Sequence, residues 1–344
     1  MRFSRASAAS IGLASSVLLA LTACGGGSSS SSTSADGGSK DAPKVRIAMS
    51  SWVGFAPLFV ARDQGFFEDH GVDVELVMIE DPADRFNALT AGEIEAVATT
   101  VDTFTHAIAS GAPAKIVWAP DTVNGGEGIL ASAGIESVAD LQGKNVAVSE
   151  GSTMEFLLAY VLDQEGLSLD DVRVQNMTSD QAGAAFAAGQ VDAAATWEPW
   201  LTTALQQNTE GHLLLNTKGE EYAQVMSDAI GFHEDVINDE PEAVTGFLEG
   251  LIDAYAFMKT DEQATLKSVA EVNQMTPEDV APLMESTKML PLEANLELMG
   301  TKDEPGALYD VFTAASEFWE AKGKITAPVA AEDAIAPEFV RDLG

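Results

Sequence analysis

Three short stretches set chemistry-bearing side chains beside small ones: Ser51-Trp52-Val53-Gly54, Glu150-Gly151-Ser152-Thr153 and Trp197-Glu198. None has the spacing of a catalytic centre. The chain has no G-x-x-x-x-G-K-[ST], H-E-x-x-H or G-x-S-x-G. Its histidines, His70, His106, His212 and His233, are scattered without ligand spacing, so no metal or cofactor is expected. A single cysteine, Cys24, excludes an internal disulfide and a cysteine-ligated cluster. These residue types are suited to holding a small solute. An indole is a wall for a ring or a cation, and a carboxylate accepts hydrogen bonds from an amine or a ring N–H. A helix start offers unpaired N–H groups and partial positive charge to an anionic group. Each residue also has a plainer reading: Trp52, Trp197 and Trp200 as packing, Glu198 as an acid favouring the helix start at Pro199, and Asp102 and Ser152 as caps.

The elements that would position them follow from periodicity. Val45, Ile47 and Met49 alternate as a strand ending at Ser50-Ser51, and Pro57 sits in the first turn of a helix carried by Leu58, Val60 and Ala61 to Gly65. The pattern recurs. Ala88 to Thr100 (ALTAGEIEAVATT) and Ala185 to Trp197 (AFAAGQVDAAATW) are identical at six of thirteen positions with an offset of 97. In each, a helix ends near a glycine and a short buried strand follows. Asn145 to Ser149 repeats the first strand, and Ser152-Thr153-Met154-Glu155 fits a capping box for the next helix. Both halves thus run strand, helix, strand, helix, strand, which predicts two similar α/β lobes with mainly parallel sheets. The glycine-rich stretch Asp121 to Gly128 is placed as the first crossing between lobes and Met226 to His233 as the return. From Pro241 onward the pattern is helical, over Pro241 to Met258, Thr260 to Val272, a helix capped at Thr276, and Ala307 to Ala321, all expected to back the first lobe.

The front of the chain has Arg2 and Arg5, an apolar run from about Ile11 to Ala20, and Leu21-Thr22-Ala23-Cys24. The run is too short to span a bilayer and has the flanks of an export signal. Residues 1–23 are therefore expected to be cleaved, leaving Cys24 as the lipidated first residue. Residues 24–43 are a Gly/Ser-rich tether with an r.m.s. reach of roughly 24 Å. The formal net charge of -36 argues against nucleic acid, whose phosphates need clustered Lys and Arg. Most of the acids sit at helical spacing and read as solvated faces.

Lipobox, tether and twice-crossed α/β lobes together resemble the solute-binding lipoproteins of ABC importers, in particular the nitrate, sulfonate and taurine group whose fold also serves thiamine-pyrimidine proteins. The stretches that carry the resemblance are Trp52 to Gly65 with Phe66-Phe67, AGEIEA at Ala91 to Ala96, VADLQGK at Val138 to Lys144, Glu150-Gly151-Ser152, and GQVDAAATWEPW at Gly189 to Trp200. The resemblance implies a two-lobed type II periplasmic binding protein fold with a hinge, lobe 1 comprising 44–126 and 229–344 and lobe 2 comprising 127–228. It implies a non-enzymatic monomer, anchored to the outer face of the cytoplasmic membrane by its lipid alone, that passes solute to a permease and its ATPase. It places the solute between the lobes near Ser51, Trp52, Val53, Gly54, Thr100, Asp102, Glu150, Ser152, Thr153, Trp197 and Glu198, and strand ends and helix starts lead to the same positions. No arginine is evident in the cleft. That favours an amine-bearing or zwitterionic solute such as an aminosulfonate over a plain anion such as nitrate, with a thiamine-type pyrimidine as the alternative. Thiamine-pyrimidine synthases carry an internal cysteine-rich stretch that this chain lacks.

Overall fold

Val45, Ile47 and Met49 fall in strand β1 (Lys44–Met49), all three fully buried. The chain then turns through Val53–Phe55 into helix α1 (Ala56–Gln64), which Gly65 ends in the left-handed conformation, φ 78°. This computed structural model describes residues 42–219, 222 and 225–344. The export signal, Cys24 and the tether as far as Asp41 lie outside the described residues. Within them, no helix is long and apolar enough to cross a membrane.

After α1 come β2 (Asp73–Met78), α2 (Pro82–Thr90), β3 (Ala96–Thr100), α3 (Val101–Ala109), β4 (Ala114–Trp118) and β5 (Asp121–Val123). The repeat then supplies β6 (Glu127–Ala131), β7 (Asn145–Val148), α4 (Thr153–Gln164), β8 (Arg173–Asn176), α5 (Ser179–Ala187), β9 (Ala193–Trp197), α6 (Trp200–Gln207) and β10 (His212–Asn216). Strand β11 (Asp228–His233) returns the chain, and α7 (Pro241–Met258), α8 (Glu262–Asn273), β12 (Thr287–Met289) and α9 (Ala307–Ala321) follow, with shorter helical segments between them.

Two five-stranded sheets result, ordered β2-β1-β3-β11-β4 and β8-β7-β9-β6-β10. They are the same arrangement built twice. In each, one strand pairs in parallel with both its neighbours: β1 in the first sheet and β7 in the second. In each, one strand runs antiparallel to both its neighbours: β11 in the first sheet and β6 in the second. Those two reversed strands are the ones that carry the chain into each sheet from the other. The sheets are thus parallel apart from one strand apiece.

Segment 121–127, expected to be an irregular crossing, instead contains β5, which pairs antiparallel with β12 far along the chain. A local pattern cannot reveal a strand whose ladder partner is so remote. The two crossings also touch, through a bridge between Thr122 and Ser227. The last long helix, α9, buries Leu308, Val311, Phe312, Ala315 and Trp319 and packs on α3 of the first lobe, where the Trp319 indole donates to the Asp102 carbonyl at 3.0 Å. It reaches further as well. The Phe156 ring of α4 lies 4.8 Å from Phe318 and 5.5 Å from Trp319, and Lys324 pairs with Glu155 at 2.6 Å, so this helix spans to the second lobe. Glu155 accordingly does not complete the expected capping box. Ser152 does accept from the Met154 N–H, but the Glu155 carboxylate accepts from Gly151 and Lys324.

Candidate functional site

The carboxyl ends of the parallel strands meet between the two sheets, and the reversed strands begin there. Asp228, first residue of β11, is the register partner of Thr100, last residue of β3. Glu127, first residue of β6, is the partner of Trp197, last residue of β9. Two acids are thereby brought to one place by the strands that join the lobes. Between them lies a small cavity. From the first lobe it is lined by Ser50 and Trp52 beyond β1, Phe55 at the head of α1, Arg85 of α2, Thr99 and Thr100 of β3, Thr103 of α3, and Asp228. Glu127, Ser152, Thr153 and Trp197 close it from the second.

Of the residues expected near a solute, Trp52, Thr100, Ser152, Thr153 and Trp197 line this cavity. Ser51, Val53, Gly54, Asp102 and Glu198 are not in its lining, and Glu150 lines a neighbouring, larger cavity. Gly54 has a supporting place nonetheless. A Cβ there would sit 2.2 Å from both the Trp52 indole nitrogen and an Asp121 oxygen, so glycine is what lets that pair form. The Trp52 indole donates to Asp121 Oδ2 at 3.1 Å, which fixes the ring as a wall. Ser51 N–H donates to Glu80. Asp102 is fully buried beneath the Thr100–Thr103 hydroxyl pair, and burial pushes its carboxyl up to about 6. Glu198 holds its own helix: one carboxylate oxygen accepts from the Thr202 N–H at 3.1 Å and the other from the Thr202 hydroxyl at 2.7 Å.

The reading that the cleft lacks an arginine is corrected by Arg85. It is 2% exposed, donates from Nη1 to the Ala98 carbonyl at 2.9 Å, and has no protein partner for its Nε–H. Burial lowers its pKa to about 10, so it stays cationic at neutral pH. Its helix also carries Pro82, Phe86 and Leu89 toward the core, and nothing in the local pattern singles out Arg85 among the polar residues between them. Glu127 and Asp228 escape the sequence reading for a related reason: each opens a run of small and apolar residues, EGILA and DAIGF, inside a stretch that reads as a crossing. An acid heading a fully buried strand was the available signal.

The electrostatics of the cavity are dominated by desolvation. Glu127 is 3% exposed, accepts from the Thr217 hydroxyl at 2.6 Å, and is pushed by burial up to about 8. Asp228 is raised well above the carboxylate range by burial first and then by the charges of Asp121 and Glu127. Its Oδ2 has no partner in the protein, nor has the Trp197 indole N–H. A buried carboxyl lined up with aromatic walls and left unpartnered is what a protonated amine would satisfy. Among the described residues, no group of three or more His, Cys, Asp or Glu is arranged to hold a metal ion.

Comparison with known proteins agrees with this architecture. The NMT1/THI5-like family model matches residues 52–265, from Trp52 just after β1 into α8. The chain belongs to this family. Relatives of this NMT1/THI5-like chain include the taurine-binding periplasmic protein of Escherichia coli K12, 24% identical over 83% of this chain and 89% of that one. Its fold is that of the alkanesulfonate-binding protein SsuA from Xanthomonas axonopodis pv. citri, solved bound to MOPS, with a TM-score of 0.69 and 24% identity over 86% of this chain and 98% of that one. The desulfurization enzyme DSZB has the fold too, at a TM-score of 0.62 and 16% identity over 87% of this chain and 98% of that chain. The fold therefore hosts both binding proteins and an enzyme, and the site must decide between them.

Proposed function

We propose that the protein is the exported, lipid-anchored solute receptor of an ABC importer, and that it captures a small organic solute carrying a protonated amine, an aminosulfonate zwitterion being the best match. The observation that carries the reading is the convergence of Glu127 and Asp228, one from each sheet, on a cavity walled by Trp52, Phe55 and Trp197. The ammonium would lie between these acids. Arg85 and the starts of α3 and α4 would face the anionic end. The name of the taurine-binding relative supports the same chemistry. No nucleophile paired with a base is present among the lining residues, which favours binding over catalysis. The crossings at Thr122 to Gly128 and Met226 to Phe232 would act as the hinge, a motion of the kind described for periplasmic binding proteins. The body would act as a monomer handing solute to a permease and its ATPase.

Two measurements test this. In calorimetry and thermal shift, taurine is expected to bind and stabilise, adding about 2.7 kcal/mol at 100 times its Kd, whereas ethanesulfonate, which lacks the amine, is expected to bind at least tenfold more weakly. Equal stabilisation by the two would refute the amine reading, and stabilisation by a thiamine-type pyrimidine alone would replace it. For the anchor, Cys24→Ser is expected to abolish metabolic labelling with fatty acid. Labelling that persisted would remove the lipoprotein assignment.

A further inference from the structure

The bridge that joins the two crossings, Thr122 to Ser227, is antiparallel and fixes what stands next to it. One step away on each strand the residues are again opposite each other, with their side chains on one face. Asp121, first residue of β5, therefore faces Asp228, first residue of β11. Both are buried, Asp121 at 0% exposure and Asp228 at 3%. Like charges directly opposite on adjoining strands repel, and here no water is present to weaken the repulsion. The surroundings make it worse rather than better. Glu127 of β6 and Asp102 of α3 add negative charge at Asp228, Arg85 of α2 is the one cation that senses it, and the Tyr255 phenol of α7 is held uncharged while donating to the Pro120 carbonyl at 2.6 Å.

The hydrogen bonds of Asp121 show which of its oxygens is committed. Oδ2 accepts from the Trp52 indole at 3.1 Å and from the Thr287 hydroxyl of β12, two donors that suit a carboxylate. Oδ1 has no donor, and neither has Asp228 Oδ2. The two side chains are nevertheless in hydrogen-bonding contact with each other. Ionised carboxylates only accept, so the contact becomes a bond when one of the two is protonated. A single proton there supplies the missing donor, removes the repulsion, and ties the crossings together through side chains as well as backbone.

We infer that Asp121 is a positioning residue for the amine site: in the solute-free protein it shares one proton with Asp228, and the ammonium of the solute is admitted by expelling that proton from Asp228. This rests on the amine reading of the cavity and adds what controls it. The exchange balances, one ammonium entering as one proton leaves for solvent. Asp121 is not in the cavity lining, so it acts through its neighbour. The pair titrates as one unit. Asp121→Asn keeps an acceptor for Trp52 and presents an amide to Asp228, which can then ionise with no proton between them.

Melting without any solute tests the shared proton on the intact chain. A proton held by the folded state and not by the unfolded one makes stability fall as pH rises. Between pH 5 and 7 the wild type is expected to lose melting temperature more steeply than Asp121→Asn or Asp228→Asn, and the double variant is expected to be no flatter than either single one. Glu127 is common to all four proteins, so its slope cancels. Flattening that adds up in the double variant would mean two independent acids and would overturn the inference, as would no flattening in Asp121→Asn. Calorimetry with taurine tests the exchange. At pH 6, Asp121→Asn is expected to bind at least about fivefold more tightly than the wild type and to release fewer protons per taurine, an advantage that shrinks by pH 8. A change by the same factor at both pH values would leave Asp121 as the anchor of Trp52 alone and refute the exchange. Binding of taurine to neither protein would overturn the amine reading and the exchange with it, whereas the melting series decides the shared proton without a ligand.

Discussion

Asp228→Asn is expected to lose at least about 30-fold in affinity for taurine while its ligand-free melting temperature stays level or rises. The carboxyl is buried, raised well above its ordinary pKa, and has one oxygen without a partner. In the empty protein the folded state must therefore keep this group protonated against its ordinary pKa, a cost that the amide removes. With an ammonium bound, the same charge is the group that satisfies it, and truncating one partner of a buried charge pair costs about 2 to 5 kcal/mol, of which 2 corresponds to about 30-fold. Opposite movement of stability and affinity separates a ligand contact from a structural residue. Glu198→Gln provides the contrast. Because both Glu198 oxygens are taken by Thr202, that change is expected to cost about 1 kcal/mol of stability and to leave affinity within about twofold. A normal isotherm for Asp228→Asn would take the carboxyl out of the site and with it the amine reading.

Affinity for the amine should also rise with pH up to about 8 while the empty protein becomes less stable over the same range. Glu127 in the folded state keeps its proton up to about 8, against 4.5 in its ordinary setting. Between those values the folded state binds more protons than the unfolded one, so stability falls as pH rises, by up to about 1.4 kcal/mol per pH unit for each such group. Asp228 acts in the same direction. A bound ammonium needs the ionised carboxyl, so in this window binding releases a proton and is favoured by alkali. The many surface acids contribute a slope of the same sign, and the informative quantity is the difference between wild type and Glu127→Gln at fixed salt. The variant is expected to melt higher near pH 8 with a flatter profile and to show a weaker pH dependence of binding, the remainder coming from Asp228. Parallel melting profiles for the two proteins would show that Glu127 is not the titrating group.

Much of this was legible in the sequence. The alternation before Ser50, the doubled thirteen-residue stretch and the helical stripes of 241–258 and 307–321 are local patterns, and local patterns gave two α/β lobes with helices behind the first. Trp52, Thr100, Ser152, Thr153 and Trp197 could be placed because strand ends and helix starts can be placed. Arg85 could not, since the face a short helix buries is decided by what it packs on, here the Ala98 carbonyl in the middle of β3. Nor could the roles of Glu127 and Asp228, which depend on two strands being reversed, a fact of topology rather than of composition. Glu198 looked like a ligand because it follows a strand-end tryptophan. Its geometry is instead set by a neighbour four residues on, in the helix that its own backbone begins.

The duplicated sheets have a consequence for how a solute is oriented. A site built from two copies of one arrangement approaches twofold symmetry, with an acid opposite the last residue of a parallel strand on either side, and a symmetric pair of corners cannot by itself tell one end of a molecule from the other. Polarity must come from the places where the copies differ. At the spacing that superposes α2 on α5, Arg85 falls on Ala182, and where the strand registers superpose, Trp52 falls on Gly151 and Thr100 on Trp197. The cation and one indole thus belong to the first copy alone and the other indole to the second. It is this broken symmetry, more than the repeated frame, that gives the cleft a head and a tail.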